Sequence, residues 1–266
     1  MNGSGQVTAI GESSRIDRST MLIVSAYVAA IIAAEALALL SNVAAGLVAD
    51  AILVAVLITH YVLPPTAAYR RLLPALALVP LLRILSLTMP VRQLPQIYWY
   101  VMVGVPLLLA LGLTIRLLGL TRVQLGMRLS FNRWQLLIGL SGLVVSLPAY
   151  LILHPRPLVA AMDLPRTVID AVILALFVGF SEELLFRGVL QRLVIDLFGT
   201  IGIVFSSLLF AAVYFGSLSL GFLLYMGLIG VFFAWTVNRT QSLWGVILAH
   251  SLLSISLLLI WPYFLA

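Results

Sequence analysis

The sequence predicts an all-α fold, a polytopic transmembrane helical bundle of eight to nine spans, and three observations carry this reading. Apolar residues fill 63% of the 266 positions and charged residues only 9%, a balance outside the range of soluble globular domains. The mean hydropathy is +1.18. The apolar residues also fall in blocks of about 20, the length at which an α-helix rising about 1.5 Å per residue crosses a hydrocarbon core of about 30 Å.

Nine such blocks follow one another: Thr20–Leu40, Val43–Leu63, Leu72–Met89, Ile97–Leu118, Trp134–Leu153, Val168–Leu190, Ile201–Phe215, Leu218–Val237 and Leu243–Phe264. An eight-span version makes the short seventh block re-entrant or one early hairpin interfacial. Residues 1–19 form a polar cytoplasmic tail with Arg15 and Arg18. The apolar block behind it is too long for a cleaved signal peptide and reads as an anchor. Residues 20–117 make a four-span amino-terminal membrane region, in which Glu35 lies in an alanine-rich stretch suited to close helix packing with one buried acid facing a partner. Residues 118–133, with Arg122, Arg128 and Arg133, form a cytoplasmic linker to a five-span core over 134–266.

The net charge of +6 comes from fifteen arginines without a lysine, scattered among apolar blocks, so no nucleic-acid surface is expected. In the nine-span topology only Arg83, Arg92, Arg156 and Arg166 fall opposite the other eleven, which places the amino terminus in the cytoplasm. Arginine in place of all lysine points to a biased, bacterial genome and hence to a bacterial cell membrane. Cysteine is absent, which removes disulfides and thiolate chemistry. No repeat or matched pair of broken helices marks an inverted-repeat transporter.

The run Ser181-Glu182-Glu183-Leu184-Leu185-Phe186-Arg187 sets three charges inside the sixth block, where each costs about 2.5–3.5 kcal/mol on insertion scales. Glu183 and Arg187 are four apart, share a helix face and can pair. Glu182 points about 100° away, free to face a cavity as a general base. His250 and Ser254 set an imidazole and a hydroxyl one turn apart, suited to stabilising an oxyanion or, through the imidazole, to binding a metal. Phe210 and Tyr214 make an aromatic pair at the same spacing.

In this order the three constellations resemble the CAAX-protease and bacteriocin-processing (CPBP) family of intramembrane proteases, whose pattern is EExxxR, FxxxH and HxxxN. The resemblance runs from about Leu118 to Ile260. It implies an intramembrane endopeptidase acting on a membrane-associated peptide or lipid-modified protein, with Glu182 as base, Glu183 and Arg187 as an orienting ion pair, and His250 with Ser254 as the oxyanion site. Tyr214 stands where the family has its histidine. A phenol is a poor zinc ligand unless ionised, so a metal-independent glutamate mechanism with no cofactor is expected, and zinc is disfavoured. The site is expected in the cytoplasmic half of the bilayer, in a cavity open to that side. The alternatives are a catalytically impaired scaffold or peptide-binding protein and, more remotely, a small proton-relaying transporter. Membrane lipids are the remaining expected partner, and oligomeric state is not legible.

Overall fold

A computed structural model of the chain describes residues 17–63, 66–89, 95–128, 132–158 and 163–265. Most of the polar tail, including Arg15, and Arg92 lie outside the described residues. Every regular element among them is helical.

Helix α1 (Arg18–Leu40) starts at Asp17, which accepts hydrogen bonds from the Ser19 and Thr20 amides. Together with bonds from the Thr20 and Ser19 hydroxyls, these hold its carboxyl down at about 2. Asn42 caps α2 (Val43–Val62) in the same way. A 3-10 turn, Ala68–Leu72, leads into α3 (Leu73–Thr88). Helix α4 (Ile97–Leu118) ends on Gly119, whose φ of 62° suits a glycine. Asn132 caps α5 (Arg133–Leu153).

The next helix, α6, runs over 164–198 from its Asp163 cap. It is interrupted by two π-helical stretches, Ala175–Phe180 and Leu184–Leu190, on either side of the single α-turn Ser181–Glu183. At Gly199, with φ 62° and ψ −144°, the chain folds back into α7 (Gly202–Ala212). The bundle closes with α8 (Leu220–Thr240) and α9 (Trp244–Phe264).

Eight helical runs among the described residues are long and apolar enough to cross a membrane. The sixth and seventh blocks of the sequence are two limbs of one run, Leu164–Ser217, bent at Gly199. Outward leucines and valines such as Leu22, Leu109, Val144 and Leu228 are exposed, so the apolar faces look to lipid as well as inward. The chain is an integral membrane protein.

Because lipid tails are as apolar as leucine, helices associate here by close van der Waals packing. A Cβ at Gly142 would collide with the Ala249 carbonyl, and one at Gly139 with Leu248, so α5 and α9 meet backbone to backbone. Gly179 lets α6 press equally close to Ser251 on α9. The four-span and five-span regions share one core, in which Val24, Ile31, Leu76 and Leu107 continue into Phe186, Phe210, Phe233 and Leu253. The segment between the regions is docked as well: Gly126 accepts a hydrogen bond from the Leu243 amide at 2.9 Å, and the Arg128 carbonyl accepts one from the Trp244 indole at 3.0 Å.

Candidate active site

The α-turn Ser181–Glu183 sends its two carboxylates in different directions, as the helical spacing requires. Glu183 is fully buried and its Oε1 accepts from Arg187 Nη1 at 3.0 Å. The guanidinium is buried too, with Nη2 donating to the Gly230 carbonyl at 3.2 Å and the charge centre 3.9 Å from the Phe210 ring centroid. Phe210 therefore has a use beyond filling space: its π-face helps to hold a desolvated cation. Gly230 is what permits this approach, since a Cβ there would stand 3.0 Å from the Phe210 ring and 3.6 Å from Arg187 Nη2.

Glu183 Oε1 also lies 2.8 Å from His250 Nδ1. A carboxylate paired with arginine can only accept, so this network assigns the ring proton to Nδ1 and leaves Nε2 facing forward. There Nε2 meets the Tyr214 hydroxyl at 3.4 Å and Glu182 Oε2 at 3.9 Å. Tyr214 donates to Glu182 Oε2 at 3.1 Å. The result is a chain of polar groups, Arg187–Glu183–His250–Tyr214–Glu182, drawn from α6, α9 and the 3-10 turn Val213–Ser217 that follows α7.

Only the front of this chain is open. Glu182, 14% exposed at its side chain, and Tyr214 line a cavity of about 700 Å³ together with Ser254, whereas His250 is 1% exposed and does not reach its wall. The structure thus brings Glu182, Glu183, Arg187, Tyr214 and His250 together. It sets Ser254 on the cavity wall and gives both ring nitrogens of His250 partners other than Ser254.

The cavity differs from expectation in its direction. Its lining comes from the carboxy-terminal ends of α3 and α5, the amino-terminal ends of α4 and α8, and the turn after α7, including Ser86, Leu153, Gln96, Phe222 and Ser217. These lie at the end of the bundle away from the arginine-bearing segment 119–128. A separate pocket of about 40 Å³ sits at that other end, lined by Gln124, Arg187, Gln191, Arg192, Asn238 and Gln241. The arginines that close the sixth block mark the end where the small pocket lies, because Arg187 points back from Glu183 while Glu182 looks the opposite way.

Sequence reasoning also missed the wall supplied by the first four spans. Arg83, Trp99, Tyr100 and Val103 line the same cavity. Glu35 does find the partner expected of it, as its Oε1 lies 2.6 Å from Arg83 Nε. Only Arg83, one of four arginines placed opposite the other eleven, and the alanine-flanked acid hinted at this contact. Neither belongs to a recognisable motif.

Residues 164–256 match the family model described as Rce1-like, type II CAAX prenyl endopeptidase. Over this segment the chain is similar to the CAAX-protease family. The matched stretch, about a third of the chain, begins at the start of α6 and ends two residues beyond Ser254, so it holds every residue of the polar chain just described. The amino-terminal wall lies outside it. Comparison with curated proteins and with solved structures returned no match. The apolar helices make this a membrane protein, and the matched segment is similar to a peptidase family.

No group of three or more His, Cys, Asp or Glu residues among the described residues is arranged to hold a metal ion. The nearest donor set is Glu182, Glu183 and His250. Glu183 Oε1 is shared between Arg187 and His250 Nδ1 while its Oε2 has no hydrogen-bond partner among the described residues, and Glu182 Oε2 and His250 Nε2 stand 3.9 Å apart.

Proposed function

We propose that the protein is an intramembrane endopeptidase in which a water held in the cavity attacks a peptide carbonyl, with Glu182 as general base. The observation that carries this reading is the pairing of Glu182 with the Tyr214 hydroxyl on the wall of a cavity large enough for a peptide segment. A water bound to the free side of the Glu182 carboxylate would pass its proton to that carboxylate as its oxygen adds to the carbonyl carbon. The developing oxyanion needs a donor within hydrogen-bond reach, and the Tyr214 hydroxyl is the nearest mobile one. Glu182 then returns the proton to the leaving amine. Atoms balance without a covalent intermediate.

In this mechanism Tyr214 takes a place that a histidine holds elsewhere in the family. His250 supports it from behind, with Nε2 beside the phenol oxygen and Nδ1 fixed by Glu183. Arg187 pairs with Glu183 and holds it in place. Ser254 is a second donor on the cavity wall. In this reading Glu182 takes the proton of the water without a metal.

The substrate is an apolar, membrane-associated peptide, lipid-modified or not, because the cavity walls are mainly leucine, valine and aromatic side chains. With the arginine-bearing segment cytoplasmic, as the charge asymmetry favours, the amino terminus is cytoplasmic and the cavity opens in the opposite half of the bilayer. Reconstitution of the full chain in liposomes with a quenched fluorogenic apolar peptide tests the function: cleavage by the native chain and its loss in Glu182→Gln support it. Cleavage that survives in Glu182→Gln refutes the assignment of the base.

A further inference from the structure

Among the residues lining the large cavity, two carry a formal charge: Glu182 and Arg83. Arg83 lies on α3, outside the segment matched by the family. A cation 7% exposed in an otherwise apolar wall is costly to keep there. Its pairing with Glu35 offsets the charge, yet it uses only one edge of the guanidinium. Nε stands 2.6 Å from Glu35 Oε1, close enough to pair although the atoms are not aligned for a hydrogen bond. Nη1 makes one long contact, 3.4 Å, to the Ser86 hydroxyl, and Nη2 has no hydrogen-bond partner among the described residues.

The open edge lies on the cavity side. It faces Gly216, where a Cβ would stand 3.6 Å from Nη2 and 3.7 Å from Nη1. Gly216 lines the cavity two residues beyond Tyr214. The guanidinium fork therefore presents two N–H groups beside the 3-10 turn that carries Tyr214 while Glu35 pairs with it from behind, and such a fork matches a carboxylate in bidentate fashion.

We propose that Arg83 anchors the substrate by a carboxylate, so that an apolar peptide lies between an anionic group held at Arg83 and a scissile bond held at Glu182. The inference rests on the peptidase reading for the meaning of the second contact. The carboxylate can be the peptide's free carboxy terminus or an Asp or Glu side chain. Arg83 is then a specificity-determining residue supplied by the four amino-terminal spans.

The test is equilibrium binding, measured on the full Glu182→Gln chain in liposomes so that no bond is cut. The probes are an amino-terminally dansylated leucine–alanine hexapeptide as the free acid, the same peptide as its amide, and an amide ending in glutamate. The free acid is expected to bind about tenfold or more tightly than the plain amide, as a charge-assisted contact would give. That preference is expected to vanish in Arg83→Gln and to survive in part in Arg83→Lys. Because Arg83→Gln leaves Glu35 unpaired, Glu35→Gln/Arg83→Gln is measured beside it as a variant without a lone buried charge. A glutamate-ending amide that binds like the free acid assigns the site to any carboxylate, and one that binds like the plain amide assigns it to the terminus. Equal binding of acid and amide, no binding of either, or a preference that outlives Arg83→Gln overturns the proposal. None of these readings depends on hydrolysis, so the role of Glu182 stands or falls separately.

Discussion

The Tyr214 hydroxyl and the Glu182 carboxylate, 32 residues apart in the chain, are joined by a 3.1 Å hydrogen bond. The bond matters because it puts a hydroxyl donor and a carboxylate on one cavity wall inside an apolar bundle. A phenol at a position where relatives carry histidine would otherwise suggest a lost site. Here its hydroxyl occupies the space between Glu182 and His250.

Removing that hydroxyl should damage turnover far more than folding. Tyr214→Phe is expected to lower kcat by about 10²–10³-fold, the usual loss for one oxyanion donor, with little change in KM. Steady-state kinetics in liposomes checks this. Tyr214→His should retain activity within about an order of magnitude of the native chain. An inactive native chain awakened by Tyr214→His would instead support the scaffold alternative.

The buried pair Glu183–Arg187 should behave as a unit. Arg187→Met leaves a fully buried carboxylate without its cation and is expected to destabilise the fold by about 3–5 kcal/mol. Adding Glu183→Gln to Arg187→Met should recover most of that loss, because the stranded charge is gone. Reversible unfolding in mixed micelles measures both. Activity should stay low in both: the single variant takes from Glu183 the cation that holds it, and the double variant also takes from His250 the carboxylate that fixes its Nδ1.

Close approach of α5 and α9 depends on a missing side chain. Gly142→Leu forces a side chain against the Ala249 carbonyl and should cost about 1–3 kcal/mol or more, as overpacking does. Since Ala249 adjoins His250, the same variant is expected to lower kcat. Thermal unfolding and kinetics on one preparation would show the two losses together.

The direction of the cavity can be mapped cleanly because the chain has no cysteine. In oriented vesicles Ser217→Cys should react with a membrane-impermeant maleimide from the side opposite the arginine-bearing segment. Asn238→Cys, in the small polar pocket, should react only from the arginine-bearing side. Labelling of both from one side would contradict the separation of the two pockets.

Local spacing made part of the site legible. Glu183 and Arg187 pair as an i, i+4 spacing demands, and Glu182 diverges from them as 100° per residue demands. The contact between Glu183 and His250 spans 67 residues and is set by glycines at helix crossings, which carry no directional signal in a sequence. The same holds for the π-helical stretches around Ser181–Glu183, which arise from packing and not from side-chain pattern. Ser254 was legible as a polar neighbour of His250, but helix spacing could not show that His250 turns its nitrogens to Glu183 and Tyr214. Arg83 and Tyr100 were invisible as site residues because their role comes from an encounter between two halves of the chain. Counting arginines located one end of the bundle. It could not show that Glu182 looks toward the other.

Single-turnover hydrolysis in ¹⁸O-labelled water, followed by mass spectrometry of the carboxyl product, tests the role of Glu182 most directly. Glu182 as base requires one ¹⁸O per cleaved bond from the native chain and a loss of about 10²–10⁴-fold in rate for Glu182→Gln, with unfolding unchanged. Cleavage by Glu182→Gln at a rate near that of the native chain would contradict it.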